Sequence, residues 1–218
     1  MKIGIIGAGK LASALTRRLV LAGHEVMISN SRGMESVRDI ATSLGCKPGG
    51  AEDAAQFGQV VVISVPLKNV GTLPVDAVGD RIVIDTCNYY PSRDGLRPEF
   101  ENGTQTTSSY LQSLLPRARL VKAFNSILAT HLAQGGAEVV GGRHALPIAG
   151  DDLVAVELVA NIVCDCGPEP VNAGSLTDSW KFERARPVYC RPLNAPELKL
   201  GLEATQRSDF VPEGSWSI

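Results

Sequence analysis

The chain has 218 residues, 44% of them hydrophobic, 20% charged and 5% aromatic, and 21 basic against 23 acidic side chains leave a net charge of −2. A chain of this size buries about 70% of its unfolded surface, so a core is expected without disulfide or metal staples. No apolar run approaches the roughly 18 residues of a membrane span, and the balanced charge without basic blocks argues against nucleic-acid binding.

In chain order, short apolar runs alternate with stretches of helical periodicity. Ile3 to Ile6 is continuous, as befits a strand buried on both faces. Leu11, Ala14, Leu15, Leu19 and Leu21 then recur at helical spacing, and Gly23 marks the stop. Val26 to Ile28 predicts a second strand, and Ser36 to Leu44 a helix ended by Gly45. Val60 to Val65 is the longest apolar run and the expected centre of the sheet. Further strands are predicted at Arg81–Asp85, Arg119–Phe124 and His144–Ala149, with a long loop from Tyr90 to Ser109. Asp151 or Asp152 is placed to cap a helix through Val154, Leu158 and Ile162. Beyond Ala173 the pattern loosens: Pro187, Pro192 and Pro196 interrupt it, and Phe210 to Ile218 reads as an irregular tail. The alternation predicts an α/β fold, a Rossmann-type doubly wound, mostly parallel sheet with a small C-terminal helical or irregular segment. The expected division is 1–172 for the nucleotide-binding domain with its extra strands and 173–218 for a segment covering a cleft.

Gly7-Ala8-Gly9-Lys10-Leu11-Ala12 fits the dinucleotide fingerprint G-x-G-x-x-G/A, directly after a buried strand and opening a helix. Gly7 allows the tight turn, Gly9 lets backbone approach a pyrophosphate, and the helix N-terminus offers free N–H groups and a positive dipole end. NAD binders place an acid after the second strand; here stands Ser29-Asn30-Ser31-Arg32. A carboxylate would repel a 2′-phosphate, whereas Arg32 can fork onto it and the serines can donate to it, so NADP(H) is expected. Glu35 lies past the strand end. Ser64-Val65-Pro66 turns the chain over the sheet's carboxyl edge, where ligands of such sheets bind. Asn88 and the stretch Ala123-Phe124-Asn125 sit at carboxyl ends of their strands, and Asn125 is the candidate for positioning the nicotinamide. No residue is assigned as a certain catalyst: hydride transfer between bound rings needs alignment more than a strong acid or base. His24, His131 and His144 read as structural, and no Ser/His/Asp, Cys/His or H-E-x-x-H pattern appears.

Cys46, Cys87, Cys164, Cys166 and Cys190 are odd in number and scattered, so they read as reduced thiols of a cytoplasmic protein, and Cys164-Asp165-Cys166 has the wrong spacing for zinc; no metal is expected. The opening Met1-Lys2-Ile3-Gly4-Ile5 lacks the layout of a secretory signal.

The fingerprint, Ser31-Arg32, Val65-Pro66, Val121-Lys122-Ala123-Phe124-Asn125-Ser126-Ile127, Gly150-Asp151-Asp152 and Asn172-Ala173-Gly174-Ser175-Leu176 together resemble the coenzyme F420:NADP oxidoreductases and the related NADPH domains of the STEAP metalloreductases. The resemblance spreads to about Leu202. It implies that Ala8 to Leu11 wrap the pyrophosphate, that Ser31 and Arg32 hold the 2′-phosphate, and that Val65, Asn125, Ile127 and Ala129 line the nicotinamide and acceptor cleft. It further implies a deazaflavin or flavin as hydride acceptor and a homodimer whose C-terminal segment covers the site. The departures fall on the acceptor side: Asn125 stands where archaeal members carry His, Leu128 where they carry Pro, and Trp180, Lys181 and Phe182 follow Leu176 in an unfamiliar pattern.

Two other readings share the fingerprint: a reductase of a small carbonyl or imine substrate, and an NADP-binding redox sensor without turnover. A Rossmann half takes about 150 residues, which leaves too few for a large helical substrate domain. The hydroxyacid dehydrogenases' G-x-x-x-K helix motif is also absent. An open cleft roofed by a small segment, suited to a large flat acceptor, is therefore expected.

Overall fold

The structure, a computed structural model, describes residues 1–216. Eight strands, β1 (Lys2–Ile6), β2 (Glu25–Ser29), β3 (Lys47–Gly49), β4 (Val60–Ile63), β5 (Ile82–Asp85), β6 (Arg119–Lys122), β7 (Ala145–Gly150) and β8 (Glu169–Asn172), form one sheet in the order β3-β2-β1-β4-β5-β6-β7-β8. Every pairing is parallel except β6 with β7, which runs antiparallel through Val121↔Gly150 and Lys122↔Ala149.

The strands bury both faces, and alternate residues feed two cores. Ile3, Ile5, Val62 and Ile84 pack on one face with Leu15 and Leu19 of α1 (Lys10–Leu21), Ala41 of α2 (Arg38–Leu44) and Val159 of a helix further on. Ile6, Val61, Ile63 and Val83 pack on the other face with Ala54 of α3 (Ala51–Phe57) and Val78 of α4 (Val75–Val78). Each such aliphatic contributes about 1.5–3 kcal/mol by leaving water. Helices on both faces make the sheet doubly wound. The chain runs from β1 outward to β2 and β3, then crosses back to place β4 on β1's other side. The carboxyl ends of β1 and β4 are therefore the switch point, where a crevice opens.

Several boundaries differ from the sequence reading. The central strand stops at Ile63, because Pro66 leaves the ladder without a donor. β6 stops at Lys122, and Phe124 turns out of the strand at φ 60°. His144 precedes β7 instead of beginning it. The stretch from Tyr90 to Ser109 is no plain loop: it holds α5 (Pro91–Asp94), α6 (Pro98–Glu101) and the start of α7 (Thr107–Leu114). Pro91 and Pro98 stand in first turns, where a missing N–H costs nothing, and the Thr106 hydroxyl caps α7 by accepting from the Ser109 N–H at 2.9 Å. Edge strands β3 and β8 were unread because each is short and holds a proline.

After α8 (Ala129–Ala133), α9 (Leu153–Asp165) is capped by Asp152, whose carboxylate accepts from the Ala155 N–H at 2.9 Å. The 3-10 helix Leu176–Phe182 and α10 (Ala195–Ala204) then cover β7 and β8 around Phe182, Val188, Leu198 and Leu202. Pro196, expected to interrupt the chain, instead opens α10 behind an Asn194–Glu197 capping box. The tail lies along residues 184–189. Val211 donates to the Ala185 carbonyl at 2.8 Å, and Arg186 donates to the carbonyls of Arg207 and Asp209. The last two residues of the expected irregular tail, Ser217 and Ile218, lie outside the described residues.

Candidate active site

Two clefts meet at the switch point. The first, of about 810 Å³, is lined by Gly7, Ala8, Gly9, Asn30, Ser31, Arg32, Ser64, Val65 and Pro66, with Gly50, Asn69 and Leu73 closing it. The second, of about 720 Å³, continues past Gly9, Lys10 and Leu11 to Asn88, Asn125, Ile127 and Ala129. Gly9, Ser64, Val65 and Pro66 line both.

The two fingerprint glycines are there for different reasons. Gly7 sits at φ +129°, and a Cβ on it would fall 2.0 Å from the Ser64 carbonyl oxygen, so β1 and β4 can approach only because the side chain is absent. Gly9 has an unstrained φ of −80°, and a Cβ there would meet nothing within 4 Å. The protein's own packing does not demand glycine at this point; a pyrophosphate on the backbone would. The α1 N-terminus behind it has no side-chain cap and no acid in its first turn, so its donors and dipole face the cleft uncompensated.

Asn30 shapes the turn after β2: its carboxamide oxygen accepts from the Arg32 N–H and the Ser36 hydroxyl, both at 2.8 Å. The Arg32 side chain pairs with no carboxylate among the described residues, and Glu35 is engaged by Arg38 at the surface. This leaves a free guanidinium at the first cleft's rim, matching the need of a 2′-phosphate. Ser29 is a correction to the expected site. It is fully buried and its hydroxyl donates to the Ile5 carbonyl at 3.0 Å, so it lines neither cleft. Ala123 and Phe124 are likewise buried beneath the second cleft, because β6 ends before them and turns their side chains into the core.

Asn125 is 2% exposed. Its Nδ2 donates to Asn88 Oδ1 at 3.1 Å and to the Phe182 carbonyl at 2.9 Å, while Asn88 Nδ2 returns a bond to the Asn125 carbonyl at 2.8 Å. Both amide hydrogens are thus spent, and Asn125 Oδ1 is left buried without a donor. An orphaned buried acceptor is costly unless something supplies a hydrogen, and a carboxamide N–H in the cleft would do so. Together, open space at Gly9, the unpaired Arg32 and this acceptor fit a phosphorylated nicotinamide dinucleotide.

The acceptor side also contains residues that the sequence does not assign to a site: Tyr90, Arg93, Tyr189, Cys190 and Trp216. Only Tyr90 and Arg93 carried any signal, as members of a polar stretch too long for an idle loop. Burial pushes the Cys190 thiol up to about 12 and holds Cys87 well above the ordinary thiol range, so neither is a thiolate nucleophile. The histidines stand away from both clefts. His24 pairs with Asp165 at 3.0 Å, and His131 and His144 pack edge to face at 6.0 Å. Burial and that neighbour depress His144 to about 4. Among the described residues no group of three or more His, Cys, Asp or Glu is placed to hold a metal ion, and no helix is long and apolar enough to cross a membrane.

Residues 2–89 match the family model of coenzyme F420-dependent NADP oxidoreductases. The matched segment runs from β1 through β5 and carries the fingerprint and Arg32. Metalloreductase STEAP3 of Rattus norvegicus is 31% identical over 184 residues, covering 84% of this chain and 36% of that protein. Metalloreductase STEAP2 of Mus musculus is 25% identical over 189 residues, covering 83% of this chain and 35% of its own length. The chain thus spans about a third of the length of these curated relatives. Among solved structures, the hypothetical protein SMa0349 of Sinorhizobium meliloti superposes with a TM-score of 0.77 at 29% identity, over 89% of this chain and 95% of that one. A candidate F420-dependent NADP reductase of Arthrobacter sp. FB24 reaches 0.71 at 21% identity, over 82% and 87%, which shows a shared fold. The family is one of NADP-dependent oxidoreductases, in agreement with the reading of the fingerprint.

Proposed function

We propose that the protein transfers hydride between NADP(H) and a planar conjugated acceptor of the coenzyme F420 or flavin type. The observation that carries this reading is the meeting of the two clefts across Gly9, Ser64, Val65 and Pro66, with an orphaned acceptor, Asn125 Oδ1, on the far side. NADPH supplies the hydride when bound. The chain's own residues hold and align: the α1 N-terminus and Gly9 receive the pyrophosphate, Arg32 and Ser31 the 2′-phosphate, and Asn125 Oδ1 the carboxamide. Val65, Pro66 and Ile127 offer apolar walls that exclude water from the transfer path. Tyr90, Tyr189 and Trp216 give the second cleft flat aromatic surface, and its charged lining residues, Lys10 and Arg93, are both cationic. Aromatic walls and cations suit a flat acceptor bearing negative charge.

The test follows loss of NADPH absorbance while coenzyme F420, FMN, a ferric chelate and small keto acids are offered in turn. Oxidation with F420 or FMN supports the proposal. Oxidation with keto acids alone replaces it by a small-carbonyl reductase, and tight NADPH binding without any oxidation replaces it by a sensor. The 2′-phosphate assignment has its own check. Arg32→Ala is expected to weaken NADPH binding about 10- to 100-fold, the worth of a charge-assisted hydrogen bond or two, and to leave NADH within a factor of about two. Equal losses for both nucleotides in fluorescence titrations would defeat it.

A further inference from the structure

Hydride addition to a conjugated acceptor leaves an electron pair on one of its ring nitrogens or exocyclic oxygens. That atom needs a proton, or at least a strong hydrogen-bond donor, for the reduced product to form. Nothing in the alignment of the two clefts supplies it. The proton donors lining the second cleft are few: Lys10, the two high-pKa thiols, and a pair of tyrosines, while Arg93 donates to Asp94 and to the Asn88 carbonyl.

The tyrosines end a directed chain of hydrogen bonds. Asn88 is pinned on three sides, by its exchange with Asn125 and by Arg93, which donates to the Asn88 carbonyl at 2.8 Å. Asn88 Nδ2 also donates to the Tyr189 hydroxyl at 3.3 Å. Tyr189 and Tyr90 share a hydroxyl–hydroxyl bond of 2.9 Å. The Tyr189 oxygen accepts from Asn88, and in the arrangement where Tyr189 donates its own hydrogen to the Tyr90 oxygen the Tyr90 hydrogen is free at the end of the chain. Tyr189 is 3% exposed, and burial together with its neighbours holds its pKa above the ordinary phenol range, so it remains a donor to Tyr90. Tyr90 is half-buried and within reach of solvent. Its ring is fixed from two directions, with the Arg93 guanidinium 4.6 Å and the Arg184 guanidinium 5.0 Å from the ring centre.

We propose that Tyr90 donates the proton, through its hydroxyl, to the heteroatom of the planar acceptor that becomes basic on hydride arrival, with Tyr189 as the positioning residue behind it. This rests on the hydride-transfer reading above. The balance is closed: the acceptor gains one hydride from NADPH and one proton from the Tyr90 O–H bond, NADP⁺ is left, and Tyr90 recovers its proton from solvent.

The experiment compares wild type, Tyr90→Phe and Tyr189→Phe with whichever of coenzyme F420 and FMN the wild type reduces. In Tyr90→Phe, kcat is expected to fall about 100-fold or more, the ordinary weight of general acid catalysis, and the solvent deuterium isotope effect to disappear. Without NADPH, the Kd of the oxidised acceptor, read by fluorescence quenching, is expected to rise about three- to ten-fold for one lost neutral hydrogen bond. Tyr189→Phe keeps the donor but frees its direction, so it is expected to lower kcat while retaining the solvent isotope effect. A Tyr90→Phe protein with wild-type kcat and an unchanged isotope effect overturns the donor role alone. A wild type that reduces neither acceptor overturns the proposed function and this inference with it.

Discussion

Gly7→Ala is expected to destabilise the fold by at least about 3 kcal/mol and to abolish NADPH binding. A Cβ at this position falls 2.0 Å from the Ser64 oxygen and 2.7 Å from its carbonyl carbon, both backbone atoms that cannot rotate away. Its φ of +129° adds strain of about 1–3 kcal/mol for any residue with a side chain. The relief available is separation of the β1 and β4 carboxyl ends, which carries Ser64 and Val65 away from both clefts. Gly9→Ala is the control two residues on. Nothing lies within 4 Å of its Cβ, so the unfolding free energy from denaturant titration is expected to change by no more than about 1 kcal/mol while NADPH affinity falls. Similar denaturation losses in the two variants would show that the cleft is not what Gly9 serves.

Lys122→Met is expected to cost about 3–5 kcal/mol, the usual result of removing one partner from a buried ion pair. Lys122 and Asp85 are fully buried side by side on β6 and β5, 3.3 Å apart. Lys122 Nζ also donates to the Thr107 hydroxyl at 2.8 Å and to the Cys87 carbonyl at 2.9 Å. Asp85 accepts from the Ser108 hydroxyl at 2.6 Å and the Cys87 N–H at 2.8 Å. Thr107 in turn donates twice to Glu183, both at 2.7 Å. The ammonium thus ties β5, β6, α7 and the segment after the 3-10 helix together beneath the acceptor cleft. Without it, the Asp85 charge stays buried and uncompensated. Adding Asp85→Asn removes that charge while keeping an oxygen for the Cys87 N–H and placing an amide N–H against the Ser108 hydroxyl oxygen, so the double variant is expected to regain much of the loss in urea denaturation. A double variant no more stable than the single one would show that the charge is not the source of the cost.

The nucleotide half is legible in the order of residues along the chain. Buried parallel strands announce themselves as apolar runs, and the fingerprint is a local device in which strand, turn and helix N-terminus are contiguous. Arg32 follows the same logic, since the residues just after β2 and those just after β1 line one cleft. Ser29, Ala123 and Phe124 were misplaced by that logic: Ser29, the last residue of β2, turns its hydroxyl onto the Ile5 carbonyl, and the chain just past β6 turns inward, with a φ of 60° at Phe124. The acceptor side is assembled by packing. Tyr90, Tyr189 and Trp216 come from three distant stretches with no spacing that relates them, and they meet because Phe182 and its neighbours fold back over β7. Likewise, Lys122 looked like one more residue of an apolar strand until its partners Asp85 and Thr107 arrived from other elements. A hydrogen bond or a ring contact between residues a hundred positions apart is set by packing, and packing leaves no period in the sequence for a reader to find.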